Sequence, residues 1–169
     1  MFLLGTLALG LSALSSAATL TADAGWKEFT FGGPGIASWK DTYSFNINQA
    51  STLTVTDAFL SGDIFHVFSG VASLGFTSLP TSFTSQILND YDAAAASSKW
   101  STGMWTLLAG SYTISGIAIV PFQNGRGALR LDTIVSQVSA VPIPAAALLF
   151  APALLGFMGL RRKAKNIIA

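Results

Sequence analysis

The sequence has no cysteine, a single histidine, and only 10% charged residues. Without cysteine there is no disulfide framework, no thiolate-held zinc and no thiol nucleophile. With one histidine, any Ser-His-Asp site must be built around His66 with Asp57 or Asp63 and one of many serines. His66 sits between Phe65 and Val67 in an alternating stretch, and no Gly-x-Ser-x-Gly elbow accompanies it. No Asn-x-Ser/Thr acceptor, internal repeat or glycine-rich phosphate loop before a helix occurs. These absences point to a non-enzymatic protein that holds no nucleotide.

Charge is scarce and unevenly placed. Four of the nine Lys/Arg residues (Arg161, Arg162, Lys163 and Lys165) fall at the C-terminal end. Between residues 19 and 140, Lys27, Lys40, Lys99, Arg126 and Arg130 face all eight carboxylates, so this region is mildly acidic. No basic patch there invites nucleic acid.

The hydrophobic residues, 51% of the chain, are concentrated at its ends. Phe2–Leu14 is nearly all apolar and gives way to Ser15-Ser16-Ala17-Ala18. Small residues at Ser16 and Ala18 suit the −3 and −1 positions of a signal peptidase, with Ala22-Asp23-Ala24 as a later candidate. Residues 1–18 are therefore expected to be an export signal, although no Lys or Arg precedes the apolar run. At the other end, Val141–Leu160 carries no charge and Arg161-Arg162-Lys163-Ala164-Lys165 follows directly. Twenty residues at about 1.5 Å each span about 30 Å, the thickness of a bilayer core. A helix over 144–160 is expected to cross the membrane, with the cations held on the cytoplasmic side. Pro152 lies within that span, where membrane helices tolerate it. Pro142 and Pro144 keep the preceding strip extended.

Val141-Pro142-Ile143-Pro144-Ala145, an apolar helix and a terminal basic cluster, in that order, resemble the sorting tail of PEP-CTERM proteins. The tail looks like the Val-Pro-x-Pro-Ala variant, because Ile143 stands where the family often has Glu. The resemblance covers residues 141–165. It implies recognition of Val141, Pro142, Pro144 and Ala145 by an exosortase, a membrane-embedded transpeptidase. Arg161, Arg162, Lys163 and Lys165 would then act as the stop. The implied partners are a signal peptidase, an exosortase-type sorting enzyme and the membrane.

The middle, 25–135, reads as β, with a linker at 136–140. Thr42–Ile47 and Leu53–Thr56 alternate polar with apolar, and Ile64–Phe68 and Val71–Phe76 flank the hairpin signal Ser69-Gly70. Met104–Leu108, Tyr112–Val120 and Ala128–Ile134 complete the strands. Gly32-Gly33-Pro34-Gly35, Ser61-Gly62-Asp63, Ala109-Gly110 and Asn124-Gly125 are expected turns. One short Ala-rich helix is expected over Asp92–Ser98. The pattern predicts a mainly β fold, an antiparallel jelly-roll or CUB-like sandwich. The run from Leu53 through Asp57, Phe59, Gly62 and Asp63 to Phe65, with Trp100-Ser-Thr-Gly103 and Leu108–Ile114, is similar to the ectodomain common on PEP-CTERM proteins.

Two features suggest binding. Asp57 and Asp63 bracket a turn, and Asn89, Asp90 and Asp92 form a second oxygen-rich loop. If the loops converged, they would offer calcium several of the six to eight oxygens it takes. The simpler reading, which we prefer at this level, is that Asp57 and Asp63 cap a turn through their own backbone. Trp26, Trp39, Trp100 and Trp105 suit a core. Trp100, at a loop-to-strand junction, is the candidate for an exposed ring that would stack on a glycan such as a matrix exopolysaccharide. No other cofactor is expected.

Overall fold

A computed structural model of the protein describes residues 16–120 and 124–135. The apolar segment up to residue 15 and the tail from residue 136 lie outside the described residues. So do Val141, Pro142, Pro144, Ala145, Arg161, Arg162, Lys163 and Lys165. No helix among the described residues is long and apolar enough to cross a membrane.

Period-two alternation builds most of the chain into strands: β1 Ser16–Thr19, β2 Lys27–Gly32, β3 Gly35–Ser38, β4 Asp41–Ile47, β5 Ser51–Asp57, β6 Phe59–Leu60, β7 Ile64–Ser69, β8 Ala72–Phe76, β9 Gln86–Ile87, β10 Thr102–Leu107, β11 Gly110–Val120 and β12 Asn124–Thr133. Among the described residues the one helix, α1, is Tyr91–Ala95. One sheet runs β1-β4-β11-β7-β8, and β3 also pairs with β11. The long β11 carries β4 along its first half and β3 along its second half, with β7 on its other side. The second sheet runs β10-β5-β12-β2, and β6 and β9 form a small ribbon. Among the described residues every pairing is antiparallel except β1 with β4, which is parallel.

The inner faces of the two larger sheets share one core. Tyr43, Phe45, Phe65, Val67, Ile114 and Ala118 come from the first; Phe29, Phe31, Leu53, Val55, Leu107, Leu129 and Leu131 come from the second. Aromatic rings occupy its middle. Phe29 stacks on Trp39 at 3.7 Å between centroids, and Phe65 stands edge-on to both at 5.0 and 5.9 Å. Glycine makes room for them. Gly125 and Gly127 of β12 lie directly opposite Phe31 and Phe29 of β2, and Gly116 of β11 lies beneath the Trp39 ring. A Cβ at any of the three would overlap the ring above it.

The outer faces differ. On the second sheet, a small cluster of Ala58, Tyr91 and Ala128, with Trp26 and Phe59 against it, covers part of the face. On the first sheet the face is polar along β4 (Thr42, Ser44, Asn46) and apolar around β7, where Ile36, Phe76 and Ile119 stay exposed.

The expected mainly β architecture and the β7–β8 hairpin at Ser69-Gly70 are present, with Gly70 at a φ of 58°. The expected helix begins one residue earlier and is shorter. Two readings need correction. Asn124-Gly125 is not a turn: both residues are the first of β12, paired with Gly32 and Phe31. The glycine there admits a neighbouring ring rather than a reversal of the chain. The fold also begins before residue 25. Leu20 is buried in the core, and Asp23 joins β12 by its N–H to the Leu131 carbonyl and by its carboxylate to the Thr133 N–H.

Candidate functional site

The turn from β5 to β7 is organised by one carboxylate. Asp57 ends β5 on the same face as Leu53 and Val55, so the strand carries its side chain inward. Its Oδ1 accepts from the Ala58 N–H at 2.7 Å. Its Oδ2 accepts from the Gly62 and Asp63 N–H groups at 3.0 and 3.2 Å. The turn it ties is strained, with Phe59 at a φ of 63°, where a bulky side chain is uncommon. Ser61 fastens the same turn to the 85 region: its N–H donates to the Ser85 carbonyl, and its Oγ accepts from the Ser85 N–H. Asp57 is thus a turn cap, as the simpler sequence reading has it.

Asp63 is different. It is 6% exposed, and its Oδ1 is buried with no hydrogen-bond partner. It lines a cleft of about 230 Å³ with Phe59, Leu60, Asn124, Gly125 and Arg126. Burial pushes the Asp63 carboxyl up to about 7. Burial, and then the charge of Asp63, push Asp57 up to about 8 against the pull of its three N–H donors. Arg126 does not neutralise them. Its guanidinium lies 5.1 Å over the Phe59 ring and reaches Glu28 Oε2 at 3.5 Å.

Asp90 and Asp92, expected to join a calcium site, do other work. Asp90 is the N-cap of α1, accepting from the Ala93 N–H at 3.0 Å. Asp92 Oδ1 accepts from Trp26 Nε1 at 3.1 Å and pairs with Arg130 at 2.5 Å. These two contacts, Trp26 first, hold its carboxyl below the usual range. Among the described residues no group of three or more His, Asp or Glu gathers as metal ligands, so Asp57, Asp63, Asp90 and Asp92 do not form one cage. Arg130, held by Asp132 at 2.7 Å and lying over Trp26 at 4.5 Å, is the partner of Asp92 instead.

The expected exposed ring at Trp100 is also corrected. Trp100 is 5% exposed with its Nε1 buried and unpartnered, so it offers no open face for a sugar. Its backbone N–H donates to the Ser97 carbonyl at 3.2 Å. His66 points outward from β7, bonded through Nε2 to Ser73 Oγ at 2.7 Å, stacked on Phe76 and tilted against Phe68. Among the described contacts no carboxylate joins it.

Asn124 and Arg126 border the cleft from β12, although the dipeptide Asn124-Gly125 by itself signals a turn. Their alternation with Gly125 and Gly127 would have placed them on one strand.

No family model matches the sequence, and no curated protein does. Among solved structures, the chain is similar to the pre-peptidase C-terminal domain of a collagenase from Bacillus anthracis, with a TM-score of 0.40 and 11% identity over 69% of this chain and 92% of that one.

Proposed function

We propose that this chain is an exported, non-enzymatic surface or extracellular-matrix protein of a Gram-negative bacterium, whose β-domain is delivered to the cell surface by an exosortase-type enzyme acting on the C-terminal tail. The observation that carries this reading is the order of parts in residues 141–165: Val-Pro-Ile-Pro-Ala, an uncharged span, then Arg161, Arg162, Lys163 and Lys165. A signal peptidase removes the first segment, and the tail holds the domain on the periplasmic side until it is processed.

A cut after Ala18 leaves Leu20 in the core and Asp23 on β12. That cut removes most of β1, and a cut after Ala24 removes all of it together with Leu20 and Asp23, so the first position costs the domain less. Intact-mass measurement of the protein from a host with an exosortase tests both ends at once. We expect a mature chain that starts at Thr19 and ends near Pro142–Pro144. Replacing Pro142 and Pro144 by Ala should leave membrane insertion intact and block maturation. Normal maturation of that variant would reduce the tail to a plain membrane anchor.

A further inference from the structure

The two larger sheets differ in where they carry charge. Outward positions of the second sheet hold Glu28, Arg126, Arg130 and Asp132, joined in ion pairs among themselves and to Asp92. Among the described residues, outward positions of the first sheet hold no Asp, Glu, Lys or Arg. Asp41, at the start of β4, falls on the side of Tyr43 and Phe45. Ile114 and Ala118 of β11 and Phe65 and Val67 of β7 point into the core, so alternation turns Ile117, Ile119, Ile64, His66 and Phe68 outward. Pairing sets the outward side chains in two adjacent rows. One is Ile36, Ile119 and Ile64; the other is Ser38, Ile117, His66 and Phe76. Ile36 is 76% exposed and Phe76 57%. Toward β4 the same face continues as uncharged Thr42, Ser44 and Asn46.

A contiguous apolar strip beside uncharged polar side chains has the make-up of an interface, an apolar centre with a polar border. Its chemistry narrows what covers it. An anionic lipid surface or a nucleic acid requires Lys or Arg, and the face has neither. A sugar requires an open ring face. Phe68, His66 and Phe76 lie against one another at 4.2 and 4.0 Å between centroids, which turns their faces toward each other. A second sheet with the same twist matches the shape, as sheet faces do in sandwiches. An uncharged face is also its own electrostatic complement. Two copies meeting there desolvate no charge and oppose no like charges. Five strands at about 4.8 Å and about six residues of length give the face on the order of 500 Å² in projection. Two such faces together bury on the order of 1,000 Å², the lower bound of a specific interface, which places the pairing at the weak, reversible end.

We propose that a second copy of this chain packs on the outer face of the first sheet, apolar strip against apolar strip about a two-fold axis. Ile36 and Phe76, the most exposed members of the two rows, leave water on pairing, and the ion-paired face of the second sheet stays in it. The pairing stands apart from the export reading: it neither requires nor follows from processing of the tail.

The chain has no cysteine, so a single introduced one reports its own neighbour. Ser115→Cys places a thiol on the outward face of the central strand β11, opposite Phe68, and Ser98→Cys places one on the exposed loop after α1. The full-length protein is treated in intact producing cells with a membrane-permeant bis-maleimide, so the readout does not depend on export. We expect a species of twice the chain mass from Ser115→Cys and little from Ser98→Cys. Adding Ile36→Glu, at an exposed position where the fold tolerates it, should lower the yield by about tenfold, because each face must then bury a charge. Should Ser115→Cys not accumulate, Ser38→Cys in the neighbouring row repeats the measurement. Equal yields from the strip and from Ser98→Cys mean random collision and overturn the pairing, as does the absence of any adduct from the strip. An adduct of another mass assigns the face to a different partner and overturns the second copy. A yield unmoved by Ile36→Glu places the contact elsewhere and overturns the assigned face.

Discussion

Leu53 and Asp57 lie on the same strand and the same face, four residues apart, and both are fully buried. Around Leu53 burial is a gain. The side chain leaves water for a close-packed interior of Val55, Leu129, Leu131 and aromatic rings, and each such residue contributes about 1.5–3 kcal/mol. Around Asp57 burial is a cost, offset by three N–H donors that the turn aims at its oxygens. The strand uses one geometric rule, alternation, for opposite purposes. Its apolar half holds the sheets together, and its last residue shapes the loop that follows. Burial by itself therefore says nothing about stability until the partners of each buried atom are known.

The comparison can be broken most forcefully at the apolar half. Phe29→Ala removes the ring that covers Gly127, stacks on Trp39 and meets Phe65 edge-on. We expect a loss of about 3–5 kcal/mol in denaturant unfolding, and a loss below 1 kcal/mol would mean that the rings do not carry the core. The boundary of that core is sharpened by truncation. A fragment from Thr19 to Val135 should fold with a β-type circular dichroism spectrum. One beginning at Gly25 lacks buried Leu20 and should lose about 1.5–3 kcal/mol, and equal stability of the two would place residues 19–24 outside the domain.

At the acidic end the expected effects are smaller. Asp57→Ala orphans the N–H groups of Ala58, Gly62 and Asp63, and should destabilise the domain by about 1–3 kcal/mol. Hydrogen exchange should quicken first at those amides. Last comes pH. The folded carboxyls of Asp57 and Asp63 lie near 8 and 7, above their ordinary 3.8, so between those values the folded state binds more protons than the unfolded one. Their contribution is fully present below about pH 4 and is lost as pH rises through 7 to 8. In EDTA the melting midpoint should therefore fall from pH 5 to pH 8. A midpoint that rises across this window would mean that the two acids are neutralised within the folded chain.

The strands whose alternation is uninterrupted, β4, β5, β7 and β11, were legible in the sequence because one face of each is buried and the pattern follows from that. The strand β2 was not, although Phe29 and Phe31 alternate in it, because the glycine-rich stretch after it reads as loop. The turn cap at Asp57 was legible from its spacing to Gly62. What the sequence could not reveal is which acids share a neighbourhood. Asp92 is taken by Arg130, 38 residues away, and Trp26, 66 residues away, and only the folded sheet brings those residues together. Trp100 was misjudged for a related reason: a position at a loop-to-strand junction does not fix whether the loop folds over it.

The glycines under the aromatic rings couple positions far apart in sequence. Phe29 and Gly127, Phe31 and Gly125, and Trp39 and Gly116 are each a ring and the hollow that receives it. Neither member can change freely alone: a larger residue in the hollow displaces the ring, and a smaller ring leaves the hollow empty. Such pairs drift together or not at all, and their combined substitution is milder than the sum of the two single ones. In relatives of this domain, a lost glycine on the twelfth strand should therefore be accompanied by a slimmer side chain on the second.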